Sequence, residues 1–312
     1  MKRLSFPGSL LVFACLLTAC EAPETNTPSP DVSPVNLAST SSSVDEFGDY
    51  WYQGEAELTS YTLEQSRYGE VREGTAMLIF VTEDFSKSKQ VKLDYPSRAG
   101  DDKVSVLKLN ATRNFTTGIY PYSMMSSVFT PIPGSEFPRT LKVATSSQEW
   151  CGHTFTQINR DSNKYHIEGR SYFESEGDQD VSLDAVMLED EVWNAIRLDP
   201  ELLPTGKFKM IPGTMIQRLD HMDFEIMDAE ASMEEVGDNV MQYVIKYPVI
   251  QSTLHITFNK DFPHEIEGWE ETRNVRSGPR TTKATRNKRM MLAYWNHNNN
   301  ADLPLRAELG LE

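Results

Sequence analysis

The chain has 312 residues and a formal net charge of −16, with 46 Asp and Glu against 30 Lys and Arg. That balance excludes duplex nucleic acid as a natural partner, because phosphate binding requires an excess of cations to displace counterions. Three cysteines are too few for a disulfide-stapled scaffold, so the fold must rest on a hydrophobic core.

The N-terminus is a targeting segment. Lys2 and Arg3 precede an eight-residue apolar run from Leu10 to Leu17, far short of the roughly 20 residues of a membrane-spanning helix. Residues 1–19 therefore read as a cleaved signal peptide. Leu17, Thr18, Ala19 and Cys20 resemble the lipobox of bacterial lipoproteins. That resemblance implies a diacylglycerol thioether on the Cys20 sulfur and an acyl chain, of the palmitate kind, on its amino group; several chains together anchor firmly where one is marginal. Glu21 follows the cysteine, where an aspartate would favour retention at an inner membrane, so the expected address is the outer membrane. Loss of Lys2 and Arg3 takes the net charge to −18.

Residues 20–48 hold the lipidated cysteine and a tether. Four prolines, nine serines or threonines and one aromatic, Phe47, cannot bury enough apolar surface to offset their ordering entropy. Residues 49–312 read as one β-rich globular domain with no second low-complexity linker. Apolar residues recur there at period two: Ala56, Leu58; Met77, Ile79, Val81; Val91, Leu93; Val104, Val106, Leu107, Leu109; Leu141, Val143; Tyr243, Ile245, Tyr247; Leu254, Ile256, Phe258; Ile266, Trp269. Turn residues punctuate them about every ten positions. The predicted fold is mainly β, a large curved antiparallel sheet or an incomplete barrel or sandwich with one or two short helices. One helix is predicted from Leu183 to Leu198, where Leu188, Val192 and Ile196 fall at spacing four, acids crowd the first half and Pro200 follows as a stop. A shorter one is predicted from Leu303 to Leu309. No βαβ alternation marks a dinucleotide-binding sheet.

The charges are unevenly spread. Glu174 to Glu191 holds eight acids and no Lys or Arg, and Asp220 to Asp238 holds eight more; both read as solvated faces and loops. Arg273, Arg276, Arg280, Lys283, Arg286, Lys288 and Arg289 form a run without an acid, a basic patch suited to anionic headgroups or an acidic protein.

Cys151 is the one cysteine outside the signal and anchor. It lies in Gln148, Glu149, Trp150, Cys151, Gly152, His153. On a strand, Cys151 and His153 would share a face, where the histidine could lower the thiol pKa. With Glu149 they are weak catalytic candidates, set against a packed strand in which the thiol is simply buried. The six histidines include no closely spaced pair, so no metal site is expected. No phosphate-cradling glycine loop or serine elbow is present, and no cofactor is expected. Tyr120, Tyr122, Trp150 and Trp269, with nearby methionines, could line an apolar cavity inside a curled sheet, or serve as core.

Residues 50–82 (YWYQGEAELTSYTLEQSRYGEVREGTAMLIFVT), 117–122 (TGIYPY), 148–153 (QEWCGH) and 193–206 (WNAIRLDPELLPTG) resemble an uncharacterised family of bacterial envelope lipoproteins. Its members are sometimes labelled septum formation inhibitor Maf, a name that belongs to cytoplasmic nucleotide pyrophosphatases of α/β fold. This chain has an export signal and lacks their early Ser-x-Ser-Pro-Arg-Arg motif. The resemblance carries no catalytic residues. The expected function is non-enzymatic binding of a lipid or other amphiphile by a protein held to the membrane through Cys20. The alternatives are assembly with another envelope protein through the charged segments, and an envelope enzyme using Cys151 and His153.

Overall fold

The computed structural model describes residues 46–132, 139–276 and 278–311. The signal, Cys20 and nearly all of the tether lie outside the described residues. Fifteen strands make one sheet. The first half comprises β1 (Ala56–Arg67), β2 (Glu70–Ser86), β3 (Lys103–Thr117), β4 (Tyr120–Pro131), β5 (Lys142–Glu149), β6 (Gly152–Asp161), β7 (Lys164–Arg170) and β8 (Gln179–Asp184). The second comprises β9 (Met187–Leu188), β10 (Gly206–Ile211), β11 (Met227–Gly237), β12 (Val240–Tyr247), β13 (Ser252–Asn259), β14 (Ile266–Val275) and β15 (Gly278–Leu292). Each half is a meander of hairpins, some as tight as the turn at Tyr68 and Gly69. Both residues there have positive φ, matching the twist of the strands they join.

The two halves are joined by β1 against β15, with Ala56 opposite Leu292. The sheet order is therefore β8-β7-β6-β5-β4-β3-β2-β1-β15-β14-β13-β12-β11-β10-β9, antiparallel throughout except for the short parallel pair β9 and β10. Its two edges, β8 and β9, are neighbours in sequence, separated only by Ala185 and Val186. Three residue steps span at most about 11 Å. The sheet must curl until its edges nearly meet, which makes an incomplete barrel with one seam, between β8 and β9, that the ladder does not close. This is the curved antiparallel architecture the period-two pattern predicts.

β4 shows how the sequence specifies the curl. Tyr122, Met124, Ser126, Val128 and Thr130 are buried at every second position, while Pro121, Ser123 and Met125 face out. In β2 both faces are covered. Ala76, Leu78 and Phe80 join the main core, and Met77 and Val81 lie in a second cluster sealed by Leu309 and Leu311 from the C-terminal segment.

The barrel interior is filled by helix α1 (Glu189–Leu198), and α2 (Thr214–Asp220) lies against β4 and β5. α3 (Pro304–Glu308) is the predicted C-terminal helix, and the short helical turns around it complete the outer cover. The predicted helix from Leu183 starts six residues late, because residues 179–184 pair with β7 and Met187 and Leu188 pair with β10. α2 has no strong periodic signal, and its short length explains why the sequence hides it. Val91 and Leu93, read as a strand, lie in a loop with Val91 exposed. The boundary placed at residue 49 falls inside a helical turn at 46–51, whose Phe47 stacks near Trp51 and Phe262. No helix among the described residues is long and apolar enough to cross a membrane.

Candidate functional site

α1 is amphipathic in an unusual sense: its polar side chains also face the barrel wall. Glu189, Asp190, Glu191, Asn194 and Arg197 are all buried. Asp190, Glu191, Asn194 and Arg197 find partners for most of their polar atoms, although the Asn194 Oδ1 is buried without one. Glu191 accepts from the backbone N–H of Thr140 (2.8 Å) and of Leu188 (3.1 Å), and pairs with Arg139 (3.2 Å). Asn194 Nδ2 donates to Thr130 Oγ1 (2.8 Å) and the Leu107 carbonyl (3.0 Å). Arg197 forks onto the Glu57 carboxylate, with Nη2 to Oε2 at 2.6 Å, and its Nε donates to the Pro263 carbonyl (2.8 Å). Burial alone would raise the Glu57 pKa, but the Arg197 charge and its hydrogen bonds outweigh that and hold the carboxyl below its usual range. These bonds fix the helix in one register.

The first turn of α1 meets a second polar group. Asp190 accepts from the Thr214 hydroxyl (2.7 Å) and N–H (3.0 Å) at the start of α2. Arg113 of β3 forks onto Glu271 of β14, with Nη1 to Oε2 at 2.8 Å. Glu189 lies beside them, at the wall of the same small cavity. A Cβ on Gly213 would come within 2.5 Å of Glu189 Oε1, so this glycine is what lets the carboxyl lie on the backbone. Burial pushes Glu189 up to about 8, with the Glu271 and Asp190 charges adding to it. Burial likewise raises Asp190 to about 6 against the hydrogen bonds of Thr214.

Displaced carboxyl pKa values mark many active sites. Here the space decides otherwise: the cavity bounded by Arg113, Glu189, Asp190, Trp193, Trp269 and Glu271 is about 40 Å³, room for roughly a water or two and no substrate. The cluster locks α1 and α2 to the wall. From sequence these acids are expected to form a solvated run. Their burial reverses it, since the compensating groups, Arg113, Thr214 and Arg139, come from distant strands and turns.

The residues singled out by sequence are scattered. Trp150 and Cys151 form the two-residue turn between β5 and β6, not a strand, and both are exposed. Cys151 N–H donates to Glu149 Oε2 (2.5 Å), and the same carboxylate, through its hydrogen bond to the thiol, raises the Cys151 pKa. That is the opposite of what a nucleophile needs. His153 is exposed on the outer face. The packed-strand alternative fails as well, because the thiol is in solvent. A maleimide should therefore label native Cys151 fully, at a rate still climbing above pH 8.5; protection until unfolding would contradict the exposed turn.

Of the aromatic set, Tyr122 is buried and stacked on Phe115, Tyr120 and Trp150 continue that cluster to the surface, and Trp269 lies in the core against Tyr61 and Trp193. They do not line one cavity. The basic run is divided too. Arg273 pairs with Asp220, Arg286 with Glu265 and Glu267, and Arg289 with Glu265 at 3.0 Å. Arg276, Arg280, Lys283 and Lys288 are exposed. On the outer face of β7 and β8, His166, Glu168 and Asp180 bring one ligand atom each within 4.8 Å of one another. Their side chains are between 43% and 63% exposed and engaged with each other as surface ion pairs.

An apolar cleft opens at the seam. It measures about 410 Å³ and is walled by Ala185, Val186 and Met187 of the linking segment, Leu202, Pro204 and Phe208, with Arg139 and Lys209 as its two cations. Lys209 pairs with Asp228 at 2.7 Å, both more than half exposed, a screened pair of little strength. No family model, curated protein or solved structure matches this chain.

Proposed function

We propose that the protein is an envelope lipoprotein, held to the outer membrane through lipidated Cys20, and that its barrel binds a lipid or other amphiphile without catalysis. The observation that carries the reading is the seam cleft. Its volume of about 410 Å³ falls in the usual range of small-molecule sites, its lining is mostly apolar, and Lys209, whose pairing with Asp228 is exposed and weak, offers a cation to an anionic head. The interior cavity beside α1 is far smaller, about 40 Å³ among the described residues. The signal sequence and the resemblance of residues 50–82 and 193–206 to envelope lipoproteins support the address.

Native mass spectrometry of the full chain, extracted in mild detergent, tests the proposal. The wild type should retain an amphiphile. Lys209→Glu, at an exposed position, should lose most of an anionic one while melting as the wild type does, and Phe208→Ser should reduce binding of any amphiphile. A bare wild-type protein, or equal retention by both variants, would overturn the reading.

A further inference from the structure

By strand direction, the end of the barrel opposite the seam cleft carries the β1–β2 and β14–β15 hairpins, and there a second, polar groove of about 250 Å³ opens. Its walls come from the end of β1, the last turn of α2, and the facing ends of β14 and β15. Gln65 forms part of it at 2% exposure. The Gln65 Nε2 donates to Thr282 Oγ1 (2.9 Å) and the Ser66 carbonyl (3.2 Å), while its Oε1 is buried with no partner. Thr282 Oγ1 accepts a second bond from Ser66 N–H (3.1 Å), so its hydroxyl proton is still available to donate.

Arg67 stands beside them. Its Nη1 holds the Leu219 carbonyl at the end of α2, its Cζ lies 4.4 Å from the centroid of the Tyr68 ring, and its Nε is buried without an acceptor. A buried polar atom left unpaired costs about as much as a lost hydrogen bond. Two such atoms in one groove, an acceptor and a cationic donor, describe a binding surface. The charges agree. Both carboxylates in the groove are committed, Glu271 to Arg113 and Asp220 to Arg273. Arg67 and Arg280 have no carboxylate partner among the described residues.

We infer that this groove binds a hydroxylated oxyanion, a phosphate or carboxylate group with a neighbouring hydroxyl, the anion held by Arg67, Arg280 and Thr282 and the hydroxyl donating to Gln65 Oε1. The volume suits a molecule of monosaccharide size. It shares no lining residue with the seam cleft, so it stands or falls independently of amphiphile binding. The same chemistry could come from a free sugar phosphate or from a glycerophosphate lipid headgroup.

Calorimetry with glucose 6-phosphate, and flotation on phosphatidylglycerol against phosphatidylcholine vesicles, separates these sources. Saturable binding in either arm that weakens with salt is expected. Arg280→Gln, at an exposed position that leaves the fold intact, should weaken it about tenfold, the loss of one charge-assisted hydrogen bond. Arg67→Gln should do the same or more, whereas Arg276→Gln, outside the groove, should change nothing. The Arg67 Nε–H resonance should shift on titration. Absence of binding in both arms, or binding unaffected by Arg280→Gln and Arg67→Gln, would overturn the inference.

Discussion

Replacing Arg197 by Leu should destabilise the domain by about 3 kcal/mol or more, since Glu57 would be left buried with its charge uncompensated. Glu57 and Arg197 are each 1% exposed at the side chain. Arg289, 3.7 Å from Glu57 and partly in solvent, would recover a fraction of the lost attraction. Removal of both charges in a Glu57→Leu, Arg197→Leu double variant should be milder than either single change, because two apolar side chains in a dry interior cost less than one stranded ion. Urea denaturation of the four proteins makes the double-mutant cycle. Additive losses would mean that the pair does not act as a unit.

The second large effect is the dependence of stability on pH. Glu189 has a usual carboxyl pKa of 4.5 when unfolded and about 8 when folded. A raised folded value means that its contribution is full below pH 4.5 and is lost as pH rises through 8. Asp190, raised from 3.8 to about 6, acts in the same direction at lower pH. The shift at Glu189 corresponds to about 5 kcal/mol between those limits. Glu57, whose pKa is lowered, opposes this only below its usual value, so stability should decline from mildly acidic toward alkaline conditions. Glu189→Gln should flatten the decline and melt several degrees higher than the wild type at pH 8. An unchanged profile would show that Glu189 is ionised in the folded protein at neutral pH.

The alternation of Tyr243, Ile245 and Tyr247 in β12 and of Leu254, Ile256 and Phe258 in β13 was legible because these side chains face the core, while Lys246, Thr253, His255 and Thr257 are at least partly in solvent. α1 was legible by its spacing-four apolar residues and its acid-rich start. What the sequence concealed was direction. Glu189, Asp190 and Glu191 look like a solvated first turn, and only the curl of the sheet brings Arg113, Thr140 and Thr214 around them. Trp150 and Cys151 carry no turn signature, so a hexapeptide with a thiol, an imidazole and a carboxylate read as a strand. The seam was equally hidden. Ala185 and Val186 are unremarkable residues, and the cleft they wall exists because two strands adjacent in sequence end up as the opposite edges of one sheet. The rim groove depends on β1, β14 and β15 meeting, which local periodicity does not encode.

Photo-crosslinking would catch an amphiphile in the seam of a barrel whose interior is occupied by α1. The full-length protein would be irradiated with a diazirine-bearing fatty acid and the adducts located by peptide mass spectrometry. Adducts should fall on residues 185–187 and 202–209 and vanish under excess unlabelled fatty acid. Adducts that are not competed, or that fall on the inward positions of β3 and β4 around α1, would contradict binding at the seam.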